Sequence, residues 1–290
     1  MPTASPRRAH RAKVRSASPE LSRSRAGRNL PAAIAVGVGL GALIVGALLL
    51  WKPAFMVAVT AAVVLGAWEL IQGLRSGRIR APVVPTMIAA VALVPVAYYA
   101  GADGLAIGFA LSVLAILVWR ALSGLDGAVR DIAGGVFITA YVSVLAGITS
   151  LMLAEPDGVG RIFVFLITTV ASDVGGYAVG VFAGRHPMAP SVSPKKSWEG
   201  FAGSVLSCML AGALTVALLL DGPWWAGLAI GAAVALFATI GDLAESTIKR
   251  DLGIKDMGSL LPGHGGVMDR LDSMLVTAPV TWALLIVLVP

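Results

Sequence analysis

The chain has 290 residues, of which 57% are hydrophobic and 13% charged, with a net charge of +6 and a mean hydropathy of +0.86. A water-soluble domain needs far more surface charge, so this balance excludes an ordinary soluble enzyme and predicts a polytopic membrane protein. The single cysteine, Cys208, excludes an intramolecular disulfide and a thiolate metal cluster, and its apolar neighbours predict a buried small hydrophobe.

Residues 1–29 carry eight Arg or Lys among Ser, Pro and Ala, which predicts a disordered basic tail. No small-residue cleavage site followed by a polar segment is evident, so the tail is expected to remain uncleaved on the cytoplasmic side, where it sets orientation and can touch anionic lipid. No aromatic residue interleaves its arginines, so no nucleic-acid partner is expected.

About nine apolar spans follow, near 31–50, 54–73, 82–99, 104–122, 132–153, 161–183, 201–220, 224–241 and 273–290. The expected fold is therefore an all-α transmembrane helix bundle, divided into N-terminal helices over 30–160 and a catalytic region over 161–290. Alternate connections hold the Lys and Arg, leaving only Lys52 and Arg161 on the other side. The bias predicts a cytoplasmic N-terminus and an external C-terminus. Glycines within the spans predict close helix packing and are compatible with a homodimer.

Two acids fall inside spans. Glu69 lies near a span end, where it can reach water or pair with Arg75, and is left outside the site. Asp173 lies about halfway along its span and is expected to face a cavity or the bundle interior.

The two polar stretches face the same side. In the first, Ser193-Pro194 marks a turn, Lys195 and Lys196 supply charges for phosphate, and Ser197 can cap a helix opened by Trp198-Glu199. In the second, Gly241 to Ser273, a helix continued past Ile240 places Asp242, Glu245, Ser246 and Lys249 on one face. Leu260-Leu261-Pro262 and the glycines around His264 then break the helix, and Asp269 and Asp272 open the last span. Such carboxylates can serve helix termini or bind Mg²⁺ together with substrate phosphates; their company with Lys249, Arg250, His264 and Arg270 favours a metal-and-phosphate site.

The string Ser246, Lys249-Arg250, Lys255-Asp256, Gly258, Leu261-Pro262, His264-Gly265-Gly266, Asp269-Arg270 and Asp272 resembles the signature of the phosphatidate cytidylyltransferase (CDP-diacylglycerol synthase) family. Upstream, Ser172-Asp173, Gly176-Tyr177, Gly184-Arg185-His186 and Ser193 to Gly200 are similar to that family's other cytoplasmic motif. The resemblance implies transfer of the cytidylyl group of CTP to phosphatidate, giving CDP-diacylglycerol and pyrophosphate for phospholipid synthesis, at the cytoplasmic face of a bacterial-type plasma (inner) membrane. It implies Mg²⁺, with a second cation left open. Asp242 and Asp269 are the first metal candidates, with Asp173, Glu245 and Asp272 behind them. Lys249 and His264 join Asp242 and Asp269 as catalytic candidates. Lys195, Lys196, Ser197, Ser246, Arg250, Lys255, Gly265, Gly266 and Arg270 are candidates for binding CTP or lipid phosphate. The competing readings are a nucleotidyltransferase acting on another lipid acceptor, such as a polyprenol, and a transporter. Against transport, the acids cluster in connecting loops, and no paired broken helices mark inverted repeats.

Overall fold

A computed structural model describes residues 30–124, 126–258, 260 and 265–290. The basic tail and His264 lie outside the described residues. The elements in chain order are α1 (Leu30–Leu50), α2 (Lys52–Ser76), α3 (Val83–Leu122), α4 (Ala128–Ile138), a π-helical turn (Thr139–Val144), α5 (Leu145–Ala154) and α6 (Gly158–Ala183). A hairpin of β1 (Pro187–Ala189) and β2 (Ser193–Ser197) precedes α7 (Trp198–Leu219), α8 (Trp224–Asp251) and α9 (Met268–Leu288).

Among the described residues, seven helices are long and apolar enough to cross a membrane, counting α4, the π turn and α5 as one. Large side chains such as Leu49, Val57, Ile107, Leu214 and Val287 stay exposed along them. So much apolar surface is matched by lipid and not by water, and the chain is an integral membrane protein.

The count differs from the expected nine in two places. The side chains of most of the first half of α1 lie outside the described residues, so of its 21 residues only the apolar stretch Gly41–Leu50 enters this comparison. The spans expected over 82–99 and 104–122 are the two halves of α3. Gly101 interrupts that helix with φ 66° and ψ −161°, a conformation open to glycine at little cost. The chain folds back there. A Cβ on Gly108 would lie 2.7 Å from Leu93 Cδ2, and Arg80, just before α3, and Arg120, near its end, both bond Asp131. A straight helix of 40 residues would hold those ends roughly 60 Å apart.

The bundle sorts its polar groups by end. At one end Lys52 Nζ donates to the Glu155 carbonyl at 2.9 Å, while Arg161 donates to Asp157 Oδ1 at 2.7 Å and to the Val289 carbonyl at 3.1 Å. At the other end lie the hairpin and the described residues of the connection between α8 and α9. Between the ends, one core cluster surrounds Cys208, Ile230 and Leu285, and another surrounds Leu70, Ile71 and Met268. Cys208 is fully buried and its thiol donates to the Thr168 carbonyl, as expected of a small core residue.

Small residues bring α6 and α7 together. A Cβ on Gly203 would meet the Gly175 carbonyl at 2.7 Å, and Ser204 and Ser207 donate across to the Ser172 and Ala171 carbonyls at 2.7 and 2.8 Å. This close seam is the packing the glycines predict, formed within one chain. It fixes the polar ends of α6 and α7 relative to each other.

Candidate active site

The hairpin is built by its own local bonds. Ser197 Oγ accepts from Gly200 N–H at 3.1 Å, which caps α7 as expected. Glu199, one residue into the helix, accepts from the backbone N–H groups of Arg185 and His186 and pairs with His186 Nδ1 at 2.5 Å. The strand pairing was not anticipated from the Ser193-Pro194 turn, but its effect is simple: it presents Lys195 and Lys196 beside the end of α6.

A cavity of about 210 Å³ opens there, with Asp173, Lys195, Lys196, Ser197 and Asp242 in its wall. Lys196 Nζ bonds Asp242 Oδ2 at 2.5 Å, joining the hairpin to α8, while Lys195 stays exposed. Asp173, expected to face a cavity, does so. It also feels the charges of Asp242, Lys196 and Arg270.

The second half of the site depends on α8 continuing as helix to Asp251, which carries Asp242, Glu245 and Lys249 along one face as the spacing predicts. Lys249 Nζ lies 2.5 Å from Glu245 Oε2 and 2.8 Å from Asp269 Oδ1, tying α8 to the first turn of α9. Asp269 also accepts from Met257 N–H at 3.1 Å and from Gly266 N–H at 2.8 Å. Its two oxygens therefore hold the connection between α8 and α9 in place. Asp272, one turn along, feels the charges of Asp242 and Glu245.

Gly265 adopts φ 81°, and Gly266 directs its N–H to Asp269. That N–H is therefore not turned toward a ligand. Arg250 Nε reaches the Val192 carbonyl at 3.4 Å, linking α8 to the hairpin tip. Ser246 is half-buried, and Lys255 is exposed without a close partner among the described residues.

Two residues were missed. Glu69 of α2 does not pair with Arg75, which bonds Gln72 instead. The Glu69 carboxylate, 3% exposed, accepts from Met268 N–H at 2.8 Å and packs against Gly258 and Gly266, with Oε1 buried and unpartnered. Its partner stands 199 residues away, so no local pattern could have marked it. Tyr141, on the π-helical turn, points a buried, unpartnered hydroxyl toward the field of Asp272, Glu245 and Asp242. Such turns often mark functional positions, but they leave no clear sequence signal.

Carboxylates and ammonium groups thus converge at the polar end of a lipid-embedded helix bundle, an arrangement that defines an enzyme handling phosphate-bearing molecules at a membrane surface. The cytidylyltransferase family pattern matches residues 31–288, and the chain belongs to that family. It is 41% identical to the phosphatidate cytidylyltransferase of Mycobacterium leprae over 91% of this chain and 90% of that protein. It is also 41% identical to the enzyme of that name from Mycobacterium tuberculosis H37Rv, over 93% of this chain and 86% of that one. Against the Staphylococcus epidermidis phosphatidate cytidylyltransferase the identity is 32%, over 89% and 98%.

The hairpin lysine yields a direct expectation. Lys196→Ala should raise KM for the phosphate-bearing substrate roughly tenfold, since it removes one charge-assisted contact from a cavity wall. The thermal midpoint should stay within a few degrees, because the Lys196–Asp242 pair is partly exposed. Steady-state kinetics beside a thermal melt separates the two effects. An unchanged KM would make Lys196 only a topology marker.

Proposed function

We infer that this membrane enzyme transfers the cytidylyl group of CTP to phosphatidate, releasing pyrophosphate and leaving CDP-diacylglycerol for phospholipid synthesis. The observation that carries the reading is the cavity walled by Asp173, Lys196 and Asp242 at the polar end of an apolar bundle, in a chain matched along nine-tenths of its length by phosphatidate cytidylyltransferases.

In the proposed reaction a phosphate oxygen of phosphatidate bonds to the α-phosphorus of CTP, and the bond from that phosphorus to the bridging oxygen of the β-phosphate breaks. The electron pair leaves with pyrophosphate. The attacking monoester is already anionic near neutral pH, so positioning and charge neutralisation can supply most of the catalysis. Lys195, Lys196 and Arg270 suit the phosphates near the hairpin, and Lys249 suits charge developing near α9. Ser246, Arg250 and Lys255 remain at the rim, where the triphosphate would extend.

Among the described residues no three carboxylate, imidazole or thiol groups already converge as a metal site. Even so, the donor chemistry fits a divalent cation. Asp242, Glu245 and Asp272 crowd negative charge together, and Glu245 Oε1 is buried with no hydrogen-bond partner. We assign Mg²⁺ to Asp242 and Asp272, with Glu245 and Asp173 beside them. Asp269, an equal first choice from sequence, has its oxygens engaged by Lys249 and two backbone N–H groups and is better suited to positioning them. A bound Mg²⁺ would neutralise charge on the triphosphate.

The polar end is assigned to the cytoplasm of a plasma membrane. It carries Arg75, Arg80, Arg120, Arg130, Arg185 and Arg250 with the site lysines, whereas among the described residues Lys52 and Arg161 alone mark the opposite end, and this asymmetry supports the orientation. With α1 and each arm of α3 counted as crossings, the chain spans nine times, from a cytoplasmic N-terminus to an external C-terminus.

The test is product formation by purified protein with phosphatidate, Mg²⁺ and, separately, CTP, ATP, GTP and UTP. CDP-lipid and pyrophosphate formed with CTP alone, and lost on chelation, are expected. No turnover by folded protein until a polyprenol phosphate replaces phosphatidate would transfer the reading to that acceptor.

A further inference from the structure

A second polar cavity lies apart from the Asp242 pocket, between the C-terminal end of α2, the two ends of α3 and the start of α4. Its volume is about 700 Å³, and Arg75, Arg80, Trp119, Arg120, Ser123 and Asp131 are in its wall. The site described above uses none of these residues.

The floor is built rather than incidental. Arg120 is buried, and its guanidinium donates to Asp131 Oδ2 at 3.2 Å and to the carbonyls of Gly124 and Asp126. The other Asp131 oxygen accepts from Arg80 N–H at 2.7 Å. That carboxylate is therefore fully engaged, its charge cancelled by Arg120. The side chains of Arg75 and Arg80 remain above it, both exposed. Among the described residues neither forms an ion pair; Arg75 bonds only the neutral Gln72 amide. The cavity is thus left with two uncompensated guanidinium groups.

The surroundings select among anions. Val84 and Trp119 are each 45% exposed at the cavity wall, and the neighbouring Leu122 and Val129 are more than 80% exposed. The mouth therefore lies where the apolar, lipid-facing surface meets the polar end of the bundle. A free nucleotide gains nothing from such a border, whereas a phospholipid fits it with a charged headgroup above and acyl chains below. Trp119 is the residue type that sits at headgroup level.

We propose that this cavity binds the phosphate headgroup of an anionic phospholipid from the surrounding bilayer, held by Arg75 and Arg80 as a non-reacting lipid. The arginines bond the headgroup oxygens while the acyl chains lie along the exposed faces of α3 and α4. This lipid is distinct from the phosphatidate that reacts near Asp242.

Native mass spectrometry of the full chain in detergent, titrated with phosphatidylglycerol or phosphatidylcholine, tests the proposal. The wild-type protein and Asp242→Asn should retain phosphatidylglycerol in preference to phosphatidylcholine. Arg75→Gln/Arg80→Gln should lose that retention by roughly tenfold or more, since each basic group contributes to anionic-lipid binding. Both side chains are exposed, so the double variant should keep its thermal midpoint. Equal retention by the double variant, or no preference for the anionic lipid, overturns the proposal. Loss of the lipid in Asp242→Asn would place it in the Asp242 pocket instead. Displacement by inorganic phosphate at the same concentration would show an anion site with no lipid component.

Discussion

Asp269→Asn is expected to lower kcat by roughly a thousandfold while the protein still inserts and stays folded. In the native arrangement the carboxylate accepts from Lys249 Nζ, Met257 N–H and Gly266 N–H. An amide offers one oxygen where two are needed, and its NH₂ would face a donor. Lys249 then keeps only Glu245, and the connection carrying Met257 and Gly266 loses its anchor on α9. Lys249 is the group proposed to neutralise charge near α9, so its displacement should act on the transition state more than on substrate binding. The fall should therefore persist at saturating CTP and phosphatidate. Asp242→Asn provides the contrast: because Asp242 is assigned to the metal, its variant should also need a higher Mg²⁺ concentration for half-maximal activity, a requirement that Asp269→Asn should leave nearly unchanged. Wild-type kcat in Asp269→Asn would remove this residue from the machinery, and a shifted Mg²⁺ dependence would restore it to the metal.

What the sequence made legible follows from how local each signal is. Asp242, Glu245 and Lys249 were placed on one face because helical spacing needs no knowledge of the rest of the fold, and α8 does continue as helix to Asp251. Lys196 was marked by its neighbours Ser193, Pro194 and Trp198, but its bond to Asp242 crosses 46 residues and was not foreseen. The fold-back at Gly101 was anticipated as a gap between two apolar runs; that it brings Arg80 and Arg120 to a single carboxylate was not. The engagement of Asp269 was equally hidden. An acid at the start of a helix reads the same whether it binds a metal, caps the helix or anchors a loop, and only its partners distinguish these roles.

Glu69 provides the second large expectation, because it reaches the site from α2 through contacts that no spacing rule describes. Its carboxylate accepts from Met268 N–H at the start of α9 and lies between Gly258 and Gly266. A Cβ on Gly266 would stand 2.5 Å from Glu69 Oε2, and one on Gly258 would stand 2.1 Å from Oε1. Neither position can accept even a methyl group without moving the carboxylate or the backbone. Glu69→Ala leaves a buried N–H without its acceptor, which costs about 1–3 kcal/mol. It should lower the thermal midpoint by several degrees and kcat by roughly a hundredfold, since the first turn of α9 carries Asp269 and Asp272. Gly258→Ala should do comparable damage by pushing the same carboxylate aside, since the nearest atoms its methyl group would meet all belong to the Glu69 side chain. The decisive measurement is the double variant. If both changes act through the Glu69 contact, removing the carboxylate makes room for the new methyl group, and the second substitution should cost much less in the Glu69→Ala background than alone. Fully additive losses would mean that Glu69 and Gly258 affect the protein separately, and α2 would no longer be a support for the connection that leads into α9.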